Sequence, residues 1–365
     1  MKSLLCAGAA VWLAGCWLVI GGEQKEFVPS PEAEGGAGGV GPSCPDPSVF
    51  AVDPEHCGRC GHSCLGGECV AGLCQPVVLD HGTEPMGLAI DEDEVFWSDF
   101  YSESIRSVRK DGSAGMPLAE VPFYKPMSLA VSGDYVFAAL YNMTANGVVI
   151  VLQKGVHNDT FPQTVPFNSP WCIVADQYAV YWTNRYDDVN LVSAGPSLAS
   201  TAQLALSSTY VEPLVLALDE SHIYWTQFSG GIVARTPKGG GATVELATDQ
   251  LNAYGIAVDD VNVYWIAGEV LWRMPKGGGA SDALADVPGY PGATVAVDET
   301  HVYWASQGDA AMPPDGGIYR VPKNGSPADV ETLVLHLHWP RAITVDDVAV
   351  YWVDTPRHVV EKVAK

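Results

Sequence analysis

Ile256-Ala257-Val258-Asp259 is followed by Tyr264-Trp265, and Leu216-Ala217-Leu218-Asp219 by Tyr224-Trp225. The same arrangement recurs as Leu88-Ala89-Ile90-Asp91 with Phe96-Trp97, Leu129-Ala130-Val131-Ser132 with Phe137-Ala138, and Ile173-Val174-Ala175-Asp176 with Tyr181-Trp182. Val295-Ala296-Val297-Asp298 with Tyr303-Trp304 and Ile343-Thr344-Val345-Asp346 with Tyr351-Trp352 complete seven copies. The second aromatic position falls six residues after the Asp or Ser each time, and successive copies start 39 to 48 residues apart. That period is one four-stranded propeller blade.

Within a copy, Leu88 and Ile90 alternate with the small Gly87 and Ala89. Alternate side chains of a strand point to opposite faces, so each inner strand has a bulky and a slim face, and neighbouring blades stack bulky on slim. A third strand then leads into turns such as Pro237-Lys238-Gly239-Gly240 and Pro275-Lys276-Gly277-Gly278, where glycine supplies a positive φ. The last copy has three strands, Ile343 to Val345, Val350 to Val353 and Val359 to Val363, while Pro76 to Asp80 is a spare strand-like segment ahead of the first. Pairing the two joins both ends of the chain in one blade and leaves no open edge. The expected fold is an all-β, seven-bladed propeller over 76–365, with six blades as the alternative if a divergent copy forms none.

These repeats resemble the YWTD propellers of low-density-lipoprotein-receptor type and the related bacterial YWTD-like or NHL-like repeats, most closely in Tyr181-Trp182-Thr183-Asn184 and Tyr351-Trp352-Val353-Asp354. Only the aromatic pair is regular over Gln75 to Lys365, so the receptor family's ligand class does not carry over. Copies two and three depart further, with Ala138 in place of Trp and Val192-Ser193-Ala194-Gly195 in place of the Pro-Lys-Gly turn.

The 365 residues carry 19 Lys plus Arg against 43 Asp plus Glu, a formal charge of −24. Such a surface repels a phosphate backbone, which excludes nucleic acid as a partner. Lys2 and an apolar run from Leu4 to Leu13, closed by Leu13-Ala14-Gly15-Cys16, read as a signal peptide over 1–15. Its ending resembles a bacterial lipobox, which implies acylation of Cys16 and a lipid anchor in the cell envelope, at the outer membrane, periplasm or cell surface. The alternative is an uncleaved membrane helix extended by Trp17 to Ile20. The Gly-, Pro-, Glu- and Ala-rich stretch over 16–43 reads as a flexible tether. Its Gly36-Ala37-Gly38-Gly39-Val40-Gly41 has no strand before it or helix after it, so it is no dinucleotide fingerprint.

Cys44, Cys57, Cys60, Cys64, Cys69 and Cys74 crowd a module over 44–75 too short to form its own core. In a cytosolic chain Cys57, Cys60 and His62 would suggest zinc; after an export signal, three disulfides of open connectivity are expected. The run from Cys57 to Cys64 resembles the small glycine-rich disulfide modules of secreted myxobacterial proteins, which implies source and compartment. Cys172 reads as a buried free thiol without a partner.

No H-E-x-x-H, G-x-S-x-G or phosphate loop occurs. The recurrent aspartates read as turn residues bonding their own backbone. No cofactor and no metal is expected. The informative surface is the face where loops enter the inner strands and leave the aromatic strands. One slot past the usual proline there holds Met86, Met127, Trp171, Leu214, Tyr254, Ala293 and Arg341 in turn. Trp171, Tyr186, Asp187, Tyr254, His338 and Arg341 are the candidate ligand-binding residues. The expected function is a non-catalytic binding or scaffolding module for an envelope protein, peptide or glycan. The alternative is a lyase or lactonase over the channel, where the resemblance to propeller enzymes implies a metal or a His–carboxylate set, with His338 and Asp187 as its candidates.

Overall fold

In the computed structural model the chain is described over residues 47–142, 147–158, 164–167, 170–184, 191–194, 201–204, 213–287, 294–307 and 315–365. The protein is an all-β propeller. Seven four-stranded antiparallel sheets succeed one another along it, each a meander from an inner strand outward. The first sheet comprises Pro85–Ile90, Glu94–Asp99, Ser104–Arg109 and Met116–Glu120. The inner strands of the others are Lys125–Ser132, Pro170–Ala175, Pro213–Leu218, Ile256–Val258, Val295–Val297 and Pro340–Val345. Each inner strand packs on the next, and the last packs on the first, so the sheets close into a ring.

The closure uses both ends of the described chain. Val77–His81 pairs antiparallel with Val359–Ala364, Val77 opposite Lys362 and His81 opposite Val359, which completes the seventh sheet. Leucine, valine and alanine alternation places the strands, and the aromatic pairs supply the bulk between sheets. Trp97, Trp182, Trp225, Trp265, Trp304 and Trp352 are all at most 1% exposed. Where the second copy carries Ala138, a separate apolar cluster forms from Phe137, Ala139 and Val149 of sheet two with Ile173, Val180 and Trp182 of sheet three. Hydroxyls tie neighbouring sheets as well. Thr226 donates to the Tyr254 carbonyl at 2.7 Å, and Thr355 donates to the Pro85 carbonyl at 2.8 Å across the closing junction.

The cysteine-rich segment opens with a 3-10 turn, Pro47–Ala51, and carries a two-stranded hairpin, Cys69–Val70 with Leu73–Cys74. Disulfides join Cys57 to Cys69 and Cys64 to Cys74. The sulfurs of Cys57, Cys64 and Cys74 lie within 4.8 Å of one another, but in disulfides they have no thiolate to offer a metal. Cys60 is also disulfide-bonded; Cys44 lies outside the described residues. Cys172 corrects an expectation. It is disulfide-bonded and not a free thiol. Alternation on the inner strand identifies a small-face position but carries no record of a disulfide partner. Residues 1–15 and 16–43, expected above as signal peptide and as tether with its lipid on Cys16, also lie outside the described residues, among which no helix is long and apolar enough to cross a membrane.

Candidate functional site

At one end of the ring the inner strands turn into the aromatic strands through the recurrent aspartates. In each turn Oδ1 accepts two backbone amides, as when Asp219 takes the amides of Ser221 and His222 at 2.8 Å each. The turn reading is thus right but incomplete. Oδ2 of each accepts a lysine from the next sheet: Lys110 to Asp346, Lys154 to Asp91, Lys238 to Asp176, Lys276 to Asp219, Lys323 to Asp259 and Lys365 to Asp298, at 2.5 to 2.9 Å. The tyrosine of the aromatic pair adds its hydroxyl, 2.7 to 2.9 Å from the same carboxylate at Asp219, Asp259, Asp298 and Asp346.

Four of these lysines also lie 5.5 to 5.8 Å from the centroid of the neighbouring Tyr or Phe ring, close enough for cation–π attraction. Burial alone would push the Asp219 and Asp298 carboxyls up. The lysine, backbone and tyrosine hydrogen bonds on Asp219, and the lysine and backbone bonds on Asp298, outweigh it and hold both well below the usual carboxylate range. Burial, together with a hydrogen bond to the carboxylate, pushes the Tyr224 phenol up. Every acid of this ring is therefore committed to joining sheets. Sequence reasoning missed the lysines, although the turns at Pro237-Lys238-Gly239, Pro275-Lys276-Gly277 and Pro322-Lys323-Asn324 recur with the aspartates.

The opposite end carries the candidate ligand residues. Trp171, Tyr254 and Arg341 are half-buried, as is Met86, while Met127 and Leu214 are buried. The Arg341 guanidinium lies 5.0 Å from the Trp339 ring centroid, and its Nη1 lies 3.5 Å from the Met86 sulfur. Its Nε and the Trp339 Nε1 are buried with no hydrogen-bond partner. Arg341 thus joins the last sheet to the first through an apolar and aromatic contact. Tyr254 meets Phe228 edge-on at 6.5 Å. His338 is exposed, and its amide and that of Trp339 are held by Asp354, at 3.1 and 3.4 Å. Asp99 braces the equivalent loop of the first sheet, accepting the Thr83 and Glu84 amides at 2.6 and 2.9 Å. Tyr186, Asp187 and Ala293 lie outside the described residues, so the His338 and Asp187 pairing is not described.

A third feature had no signal in the sequence. The cysteine-rich segment sits against sheets six and seven over a cleft of about 630 Å³ lined by Arg59, His62, His301, Arg320, Asp347 and Lys365, among others. His62 bridges the junction, with Nδ1 2.7 Å from the Cys57 carbonyl and Nε2 2.7 Å from the Lys365 main-chain oxygen.

No protein-family model matches the chain, and no curated protein matches it. Solved structures do. A streptogramin B lyase superposes with a TM-score of 0.63 at 15% identity, over 79% of this chain and 97% of the other. A catalytically inactive virginiamycin B lyase from Staphylococcus aureus with quinupristin gives 0.61 at 15% identity, over 80% and 98%. YCF48 bound to a D1 peptide gives 0.55 at 10% identity, over 80% and 96%. The likeness is one of fold. At these identities propellers that act as lyases and a propeller that binds a peptide are similar to this chain alike, and neither activity follows from the likeness.

Proposed function

We propose that the chain is an exported, non-catalytic binding or scaffolding module, anchored in the bacterial cell envelope by lipid on Cys16. Each of the seven sheets serves as one blade, and the loop face is offered to an envelope protein, peptide or glycan. The observation that carries this reading is the inequality of equivalent positions. Strand frames that repeat around the ring present Met86, Met127, Trp171, Leu214, Tyr254 and Arg341 at one slot, and only unlike residues give a symmetric scaffold a preferred site. The slot is apolar and aromatic with one cation, which suits contact more than proton transfer. Arg341 meets Met86 and Trp339, and the recurrent carboxylates serve the sheet junctions. Tyr186, Asp187 and His338 belong to the same proposed site.

The test is a chemically crosslinked capture from native envelope, comparing the wild type with Trp171→Ala/Arg341→Ala after thermal melting shows that the variant is folded. Loss of the captured partner supports the loop-face site. Capture at wild-type affinity places the site elsewhere.

A further inference from the structure

On the same loop face, over sheets one and two, Val121-Pro122-Phe123-Tyr124 makes a tight turn closed by the Tyr124 amide on the Val121 carbonyl at 3.0 Å. Pro122 takes the first central position and Phe123, at φ +73°, the second. That second position needs a left-handed backbone and is ordinarily filled by glycine or asparagine. The chain uses those residues elsewhere. The matching turn before sheet five closes from the Ala253 amide to the Gln250 carbonyl at 3.0 Å, with Asn252 at φ +57°, and the sequence Val287-Pro288-Gly289-Tyr290 carries glycine at that step. A bulky residue at positive φ is a strained outlier that surrounding bonds must hold in place.

Glu103 provides those bonds, and it too is left-handed, at φ +51°, where sheet four has Gly231 at φ +61°. Its carbonyl accepts the Val121 amide at 2.7 Å. Its carboxylate accepts the Phe123 amide at 2.9 Å and the Lys125 ammonium at 2.8 Å. The strain displays a side chain. Phe123 is 82% exposed and Tyr101, across the same clamp, 67%. The Lys125 ammonium lies 5.3 Å from the Phe100 ring centroid and 5.9 Å from that of Tyr101, and these two rings meet edge to face at 5.5 Å.

We infer that Phe100, Tyr101, Phe123 and Tyr124 form a docking platform for a protein segment that carries arginine or lysine beside an apolar side chain. Two observations select this occupant. Phe100 and Tyr101 already take a cation on their faces, and the exposed Phe123 ring offers a further one the same kind of attraction. The chain's charge of −24 favours a basic partner at long range, while the only lysine of the platform is bonded to Glu103 and does not repel one. None of the four rings belongs to the residues proposed above for the loop-face ligand site, and the surface stands whether or not that site is used.

The test compares the purified protein with Phe123→Gly and Tyr101→Ser, using a fluorescent nonapeptide of three Gly-Arg-Leu units and its Gly-Glu-Leu counterpart as probes. The arginine peptide should bind the wild type about tenfold more tightly than the glutamate peptide, and each variant should weaken it about fivefold or more. Phe123→Gly changes no charge and relieves the backbone, so its melting temperature should equal or exceed the wild type's. A smaller loss of binding in either variant overturns the proposal. So does a lower melting temperature for Phe123→Gly, because it would make the ring part of the fold. An effect confined to self-association in sedimentation also overturns it, by assigning the platform to a second copy of the chain.

Discussion

Replacing Lys276 by Met tests the junction ring most directly, because it removes one charge and keeps most of the aliphatic stem. Asp219 would lose the ammonium 2.9 Å from Oδ2 and retain the Ser221 and His222 amides and the Tyr224 hydroxyl. Stripping one member of a deeply buried ion pair costs about 3 to 5 kcal/mol. Here the side chains are 21% and 11% exposed and four donors remain, the Ser221 hydroxyl among them, so about 1 to 3 kcal/mol is expected. For a domain of this size that is a fall of roughly 2 to 5 °C in melting temperature.

The acid limb supplies an independent reading. The folded Asp219 pKa lies below its ordinary value, so its contribution is present above about pH 4 and is lost as pH falls through the folded value. Without Lys276 the folded value rises, and acid unfolding of Lys276→Met should begin at higher pH than in the wild type. Asp219→Asn and the double variant complete a cycle whose coupling should be about 1 kcal/mol or more. A single variant within about 0.5 kcal/mol of the wild type, with an unmoved acid limb, would refute the claim that these pairs hold neighbouring sheets together.

Two further outcomes can be checked on the same protein. Trp225→Ala removes an indole that is 0% exposed and donates to the Thr236 hydroxyl at 3.1 Å; urea unfolding should show a loss of about 3 to 5 kcal/mol, and an unchanged midpoint would mean the aromatic pair is not core. Alkylation of the unfolded, unreduced chain followed by peptide mass mapping should leave Cys57, Cys60, Cys64, Cys69, Cys74 and Cys172 unlabelled, whereas label on Cys172 would restore the free thiol that its sequence position suggested.

Much of the architecture was legible because a blade is a local object. Alternation along Leu216 to Leu218, the acidic turn and Tyr224-Trp225 follow from strand periodicity and turn chemistry within a dozen residues. The closing pair, Val77–His81 on Val359–Ala364, was legible from the missing fourth strand, since an open edge is avoided. Turn residues were recognised at Asp219 and Asp298, but not the lysines that complete them, because each pair joins different copies. Lys276 and Asp219 are 57 positions apart and meet only once two sheets are side by side.

The missing pair could have pointed to the rule. Copy two has Ser132 for the aspartate, and the sequence of copy three has Pro196, three residues after Ser193, where lysine stands three residues after the matching residue elsewhere, so both partners are absent from the same junction. In their place the Ser132 hydroxyl donates to the Asp176 carbonyl at 2.9 Å, beside the separate apolar cluster.

The sequence by itself determined the strands, their order and the closure, because these rest on periodicity and on unpaired backbone that must find a partner. Tertiary structure alone decided the cross-sheet ion pairs, the disulfide pairing Cys57–Cys69 and Cys64–Cys74, the bonded state of Cys172 and the exposure of Phe123. Each depends on which distant segments the closed ring brings within a few ångströms, and the local pattern of residues carries no record of that distance.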